Sequence, residues 1–312
     1  MNKELQLIIG EIEKAITGKR DVIEKVLMAL LSDGHILLDD VPGVGKTTLA
    51  VAVSKALGLN YKRIQFTPDV LPSDIVGFSV YDRETGSLRY VPGAVKDANI
   101  LLGDEINRTS SKTQSALLEA MEERQVTVDT QVYPLSRPFC VIATQNRVGT
   151  AGTQPLPHAQ MDRFLVQLTM GYPDFDAQME ILRQRKTQDP MTEVRRVSDR
   201  ESVLRMQQQA QSVHVDDEIL SYITRLCMAS RDHVSLQLGV SPRGALCLSR
   251  MARACAYVSG RDFVIPEDIQ NVFSPVCAHR VLLSQKARVE QKTAEDIMQE
   301  LLSAVPVPHG IR

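Results

Sequence analysis

Four short apolar runs punctuate the first half of the chain: His35 to Leu38, Ile64 to Phe66, Ile100 to Leu102 and Phe139 to Ala143. A fifth, Phe164 to Leu168, alternates more with polar positions and follows Asp162-Arg163. Runs this short, bounded by polar or glycine-containing turns and separated by helix-like stretches, predict strands of a parallel sheet buried on both faces. The intervening stretches carry the helical period. Leu5 to Leu31 reads as helix with a break near Thr17-Gly18-Lys19. Ser111 to Arg124 puts Leu117 and Met121 on one face, with Ser111 and Gln114 as a capping box. This half is expected to be α/β, with helices on both faces of the sheet.

After Leu168 the pattern changes. Tyr172-Pro173-Asp174 predicts the start of a helix whose apolar face runs Phe175, Met179, Leu182. The polar stretch from Arg185 to Arg200, with Pro190 inside it, reads as a linker. Beyond it only helical signals appear. Ile219, Ile223 and Leu226 share a face, Ser241 and Pro242 open another helix, and Pro266-Glu267-Asp268 opens a third. The expected organisation is an α/β domain over residues 1–185, a linker over 186–200 and a small all-helical domain over 201–312. Two segments of the first domain fit neither helix nor buried strand. Gly77 to Gly93 has aromatic ends around a central turn, and Val126 to Leu135 alternates around Asp129-Thr130, so both read as inserted β-hairpins.

Composition narrows the class. The 312 residues are 43% hydrophobic and 24% charged, as in a globular protein, and the length suits two domains. A formal net charge of −2 argues against a constitutive nucleic-acid binder. The five cysteines form no CxxC pair and are odd in number, so they read as small buried hydrophobes in a reducing compartment. Met1 to Lys19 has no continuous apolar core, and no window approaches the roughly 18 apolar residues of a membrane helix. The expected compartment is the cytoplasm.

Candidate chemistry gathers at the ends of the predicted strands. Pro42-Gly43-Val44-Gly45-Lys46-Thr47-Thr48 stands where a strand gives way to a helix. Glycines there let backbone N–H groups converge on phosphate oxygens, a lysine reaches the β and γ phosphates, and a hydroxyl ligates Mg²⁺. The general pattern has glycine five positions before Gly45, where this chain has Asp40. The strand at Ile100 ends in Asp104-Glu105, and a buried strand does not end in paired acids for packing reasons. Asp104 suits the second shell of Mg²⁺, and Glu105 a general base that polarises an attacking water. The strand at Phe139 ends in Thr144-Gln145-Asn146, where a neutral amide can orient that water. His158 and His279 have no second residue at ligand spacing and read as hydrogen-bonded or surface groups. The expectation is an ATP-hydrolysing protein that uses ATP and Mg²⁺.

Five words, taken in order, resemble the MoxR family of AAA+ ATPases over nearly the whole chain. They are Val41 to Thr47, Asp104 to Thr109, Ala143 to Asn146, Pro155 to Phe164 and Val240 to Gly244. The resemblance implies Walker A at the phosphate loop, Walker B at Asp104-Glu105, sensor 1 at Asn146, an arginine finger at Arg163 and a sensor 2 arginine at Arg243. It makes the two hairpins the helix-2 and pre-sensor-1 inserts of this branch, the helical domain a lid, and Gly18 a neighbour of adenine. Asp40 departs from the general motif but not from the family's pattern. Arg163, just before an edge strand, would face a neighbouring subunit more readily than its own nucleotide, and Arg108 is a second candidate for that task. Whether Arg243 acts within its own subunit or across a boundary stays open. The resemblance further implies a ring of six subunits and a protein partner carrying a von Willebrand factor A domain. A metal-chelatase motor subunit, a DNA-directed AAA+ ATPase and an ATP-gated scaffold are the competing classes. Near-neutral charge speaks against the DNA-directed reading, and the paired acids and arginines against the scaffold.

Overall fold

The computed structural model describes residues 2–146, 156–184 and 189–308. Pro155, Arg185 and residues 186–188 of the expected linker lie outside the described residues. Helices α1 (Lys3–Glu13) and α2 (Arg20–Leu31) lead into β1 (Ile36–Asp39), α3 (Lys46–Leu57) and β2 (Tyr61–Gln65). The short α4 (Pro72–Val76) precedes a hairpin of β3 (Gly77–Asp82) and β4 (Ser87–Pro92). Then come β5 (Ile100–Asp104), α5 (Ser111–Glu123), the hairpin β6 (Gln125–Val128) and β7 (Gln131–Pro134), and β8 (Cys140–Gln145). The α/β part closes with α6 (His158–Met161), β9 (Val166–Leu168) and α7 (Phe175–Gln184).

The main sheet has five parallel strands in the order β2-β5-β8-β1-β9. Its inner strands β1, β5 and β8 are apolar at successive positions because both faces are covered. Ile36, Leu38, Ile100, Leu102, Cys140 and Ile142 join the core beneath α1, α2 and α3. Leu37, Leu101, Val141 and Ala143 point the other way, into a core built on α5. Register brings Asp39 beside Gln145 and Asp104 beside Gln65, so the polar ends of β1, β2, β5 and β8 share one edge. The chain leaves the adjacent strands β1 and β8 in opposite directions, to β2 on one side and β9 on the other, and ligands of open α/β sheets bind at such a switch point. Both hairpins form as the sequence predicts, and the rings of Tyr90 and Tyr133 stack at 4.0 Å to pack one on the other.

The second region comprises α8 (Arg200–Gln211), α9 (Asp217–Arg231), β10 (Leu236–Leu238), α10 (Pro242–Val258), α11 (Pro266–Cys277), β11 (Leu282–Leu283), α12 (Gln285–Val289) and α13 (Ala294–Ala304). It is a helical lid with one short antiparallel ladder, β10 with β11, whose strands are too short to leave a period in the sequence. Its core is continuous with that of α1 to α3. Residues before it are strapped down, since Val194 is buried and the Val197 and Ser198 N–H groups both donate to Ala56 O. All five cysteines are buried.

Two local expectations are corrected. The N-cap of α5 is Ser110, whose hydroxyl accepts from Thr113 N, while the Gln114 side chain donates to Ile106 O instead of closing a capping box. In α7, Phe175 and Leu182 are exposed, and the helix packs through Ala177 against the Gly18 turn. Gly18 has φ +72°, and a Cβ there would sit 2.8 Å from Ala177 Cβ.

His35, just before β1, is buried and joins three elements. Its Nδ1 accepts from Val141 N at 2.9 Å, which leaves Nε2–H to donate to Met121 O at 3.0 Å. Burial, and next the Arg124 guanidinium, hold its pKa well below the usual imidazole range, so the ring is neutral in the fold. The unfolded ring binds a proton below about pH 6.5 and the folded ring does not, so stability is full above that value and falls as pH drops through it. A histidine of this kind removes up to about 1.4 kcal/mol per pH unit. The urea midpoint should therefore fall between about pH 7.5 and 5.5, and fall less in His35→Asn. Equal slopes in the two proteins would rule out His35 as the titrating group.

Candidate active site

The phosphate-loop residues sit between β1 and α3. Gly43 (φ 85°) and Gly45 (φ 96°) both occupy the left-handed region, which a side chain would strain. Gly45 caps α3 without a side-chain hydrogen bond, so the first N–H groups of that helix face outward as an anion site. Pro42 and Gly43 are exposed, while Val44, Thr47 and Thr48 are half-buried. Beside the loop lies a cavity of about 310 Å³, lined by Ile16, Val44, Thr48, Met170, Tyr172 and Ile181 among others. Gly18 itself packs on α7, while its neighbours Thr17 and Lys19 line that cavity.

Lys46 is buried at the centre of the strand ends. Its ammonium donates to Asp40 O at 3.0 Å, Gln145 O at 3.3 Å and Asn146 Oδ1 at 2.8 Å. Burial lowers its pKa, and the carboxylates of Asp40, Asp104, Asp39 and Glu105 oppose that shift. With Oδ1 on the lysine, the Asn146 amide donates from Nδ2 to Glu105 Oε1 at 2.7 Å. Glu105 stands at φ 58°, a sparsely populated conformation for a non-glycine residue. Thr144, buried in β8, explains how that geometry is kept. Its hydroxyl donates to Asp104 Oδ1 at 2.6 Å and accepts from Glu105 N at 2.9 Å, so one side chain orients both acids. Asp104 also pairs with Arg63 at 2.7 Å, and Glu105 with Arg108 at 2.8 Å.

Asp40 acquires a structural account. Its carboxylate is buried and accepts from Val41 N at 2.7 Å, Met170 N at 2.6 Å and Gly171 N at 2.7 Å. It thereby fastens the start of the loop to the segment after β9 that walls the cavity. A glycine could not do this.

Lys46, Thr47, Asp104, Glu105 and Asn146 thus come together on one sheet edge, and Arg163 and Arg243 do not join them. Leu165 N donates to His35 O, which places the Arg163 segment at the opposite end of β1 and β9 from the phosphate loop. Arg163 pairs with Glu122 at 3.0 Å and donates to Leu118 O at 2.9 Å. Arg243 reaches the same Glu122 at 3.0 Å from the first turn of α10. Arg280, which the sequence did not single out, is buried beneath them, binding Asp162 Oδ1 at 2.8 Å and Leu165 O at 3.1 Å.

The residues at the loop fit a magnesium–nucleotide. A buried ammonium satisfied only by the loop's own neighbours, unpaired helix N–H groups, and one hydroxyl with one nearby carboxylate match Mg²⁺ held chiefly through phosphate oxygens and water. Among the described residues no group of three or more His, Cys, Asp or Glu stands ready as a metal cage. Among them, too, no helix is long and apolar enough to cross a membrane.

A parallel sheet with a phosphate loop after one strand, an acid-ended strand two places along the same sheet and a helical lid defines a AAA-type ATPase. The family model described as "ATPase family associated with various cellular activities (AAA)" matches residues 35–166, and the AAA lid domain model matches 228–301. The chain belongs to the MoxR family of AAA ATPases. It is 37% identical to the chaperone MoxR1 of Mycobacterium tuberculosis, over 97% of this chain and 82% of that one. It is 48% identical to the YeaC protein of Bacillus subtilis, over 96% and 93% respectively. A crystal structure from Cytophaga hutchinsonii, described as a candidate ATPase, superposes with a TM-score of 0.90 at 35% identity, covering 98% of this chain and 95% of that one.

Asp40→Ala leaves the Met170 and Gly171 amides unpaired and should cost about 2–3 kcal/mol of stability by urea unfolding. Asp40→Gly, which restores the general motif, should be no better. Wild-type stability in the glycine variant would remove the anchoring role.

Proposed function

We propose that this chain hydrolyses ATP with Mg²⁺ at a site shared between neighbouring subunits of a ring, six in number, and uses that turnover to remodel or assemble protein partners. The observation that carries the reading is the run of hydrogen bonds from Lys46 through Asn146 to Glu105, with the arginines held at the far end of the same sheet. In this reading Pro42 to Thr48 wrap the triphosphate, Lys46 moves onto the β and γ oxygens, and the Thr47 hydroxyl and Asp104 hold the metal. Mg²⁺ held there would supply positive charge against the phosphates. Glu105 takes the proton of the attacking water, and Asn146 aims that water. Arg163 and Arg243 serve a neighbour's site, stabilising charge that develops on its phosphates.

The relative named as a chaperone supports work on protein partners, and the family resemblance supports a client with a von Willebrand factor A domain. The hairpin β3–β4 adds a surface for such contact, since Phe78, Val80, Tyr81 and Leu88 are all exposed on it.

Glu105→Gln should bind ATP as the wild type does while turnover drops about 10²–10⁴-fold. Near-normal turnover in that variant would refute the general-base assignment. For Arg163, wild-type turnover per subunit should rise with protein concentration as rings assemble. Arg163→Ala should stay about 10³-fold lower at every concentration, with nucleotide affinity unchanged. Undiminished, concentration-independent turnover would shift the finger to Arg108.

A further inference from the structure

Glu122 closes α5 with a carboxylate that joins two arginines from different parts of the molecule. Its Oε2 lies 3.0 Å from Arg163 Nη1, and its Oε1 lies 3.0 Å from Arg243 Nη1. Arg163 leads into the edge strand of the α/β sheet, whereas Arg243 sits in the first turn of the lid helix α10. All three side chains are partly exposed, at 37%, 31% and 43% in the order Glu122, Arg163, Arg243. They border a cavity of about 360 Å³ that Arg124 and Arg250 also line. Four arginines there face Asp33, Glu122 and Asp162, and Asp162 is already bound by the buried Arg280. The cavity therefore keeps a surplus of positive charge and suits an anion.

Two half-exposed guanidiniums this close would repel and wander over many rotamers. One oxygen of Glu122 on each of them removes both effects. Each arginine spends a single terminal nitrogen on the bridge. Among the described residues, Nη2 of each remains without a hydrogen bond, available to a phosphate. We propose that Glu122 is a positioning residue for the shared site: it holds the lid arginine and the edge-strand arginine as one two-pronged unit that meets a neighbouring subunit's phosphates. This inference rests on the reading of Arg163 and Arg243 as groups that act across the subunit boundary. It makes the geometry of the pair depend on the lid, because Arg243 moves with α10.

The test is Glu122→Gln, alone and mixed with Glu105→Gln subunits, which bind ATP and carry an intact arginine pair. Alone, Glu122→Gln should form rings and bind ATP with unchanged Kd and KM, and its kcat should fall about 10-fold or more. Titrating in Glu105→Gln subunits should raise turnover per Glu122→Gln subunit, because the added neighbours supply an ordered pair. Glu122→Asp, which keeps the charge, should recover part of the loss. Normal or faster turnover by Glu122→Gln alone would overturn the proposal, and so would a loss that the mixture does not relieve. A parallel mixture of Arg163→Ala with Glu105→Gln separates the two levels. If it shows no relief, the trans reading itself fails. If it shows relief and the Glu122→Gln mixture does not, only Glu122's role fails.

Discussion

The arrangement of the site depends on one buried cation. Taking the Lys46 ammonium out of water is costly, and the fold offsets that cost with acceptors from the ends of two neighbouring strands. Fixing those acceptors does more than satisfy the lysine. An amide has one acceptor face and one donor face, so once Asn146 Oδ1 is on the ammonium its Nδ2 must point away. It points at Glu105, on the next strand over. The direction of the amide follows from the charge beside it. Phosphate oxygens placed at the lysine would replace acceptors that the loop now supplies itself.

That convergence needs strands ending together, and the ordering of apolar residues supplies it. Strand residues alternate between two apolar cores, which forces a sheet covered on both faces and hence parallel crossovers. Parallel strands put all their C-termini on one edge. The apolar runs, the two hairpins and the residues Lys46, Glu105 and Asn146 were therefore legible in the chain, because each leaves a local mark: a run, a turn between alternating positions, or a polar group where a buried strand stops.

What the sequence did not reveal has no such mark. Asp40 read as a departure from a motif, yet its carboxylate holds two amides 130 and 131 positions away. Thr144 looked like the tail of a strand and turned out to orient both acids. Glu122 is one of two adjacent glutamates at a helix end, and only its two arginine partners, one before β9 and one on the lid, distinguish it from Glu123. The misplaced features are of a different kind. Ser110 and Ser111 are equally good caps, and the choice is made by the approach of the chain from the 3₁₀ turn at Ile106–Arg108. Phe175 and Leu182 share a helical face, but Gly18 offers room only for the small Ala177 side, so the large residues are turned outward. Periodicity identifies an apolar stripe and cannot say which stripe its neighbour will accept.

The separation of the two groups of charged residues has a mechanical consequence. Four residues of β1 span about 13 Å at 3.3 Å per residue, and the phosphate loop and Arg163 lie beyond opposite ends of that distance. No arginine side chain bridges such a gap around a filled core. If Arg163 and Arg243 act on phosphate at all, they must act on another subunit's. The sheet then works as a rigid spacer that presents a loop at one end and a cationic pair at the other. Head-to-tail contact of such units is heterologous and closes into a ring when the rotation allows. The buried Arg280 ties the lid to the segment carrying Arg163 through Asp162 Oδ1 and Leu165 O. Two ion pairs on Glu122 and two on Asp162 thus join the lid to the segment that carries Arg163.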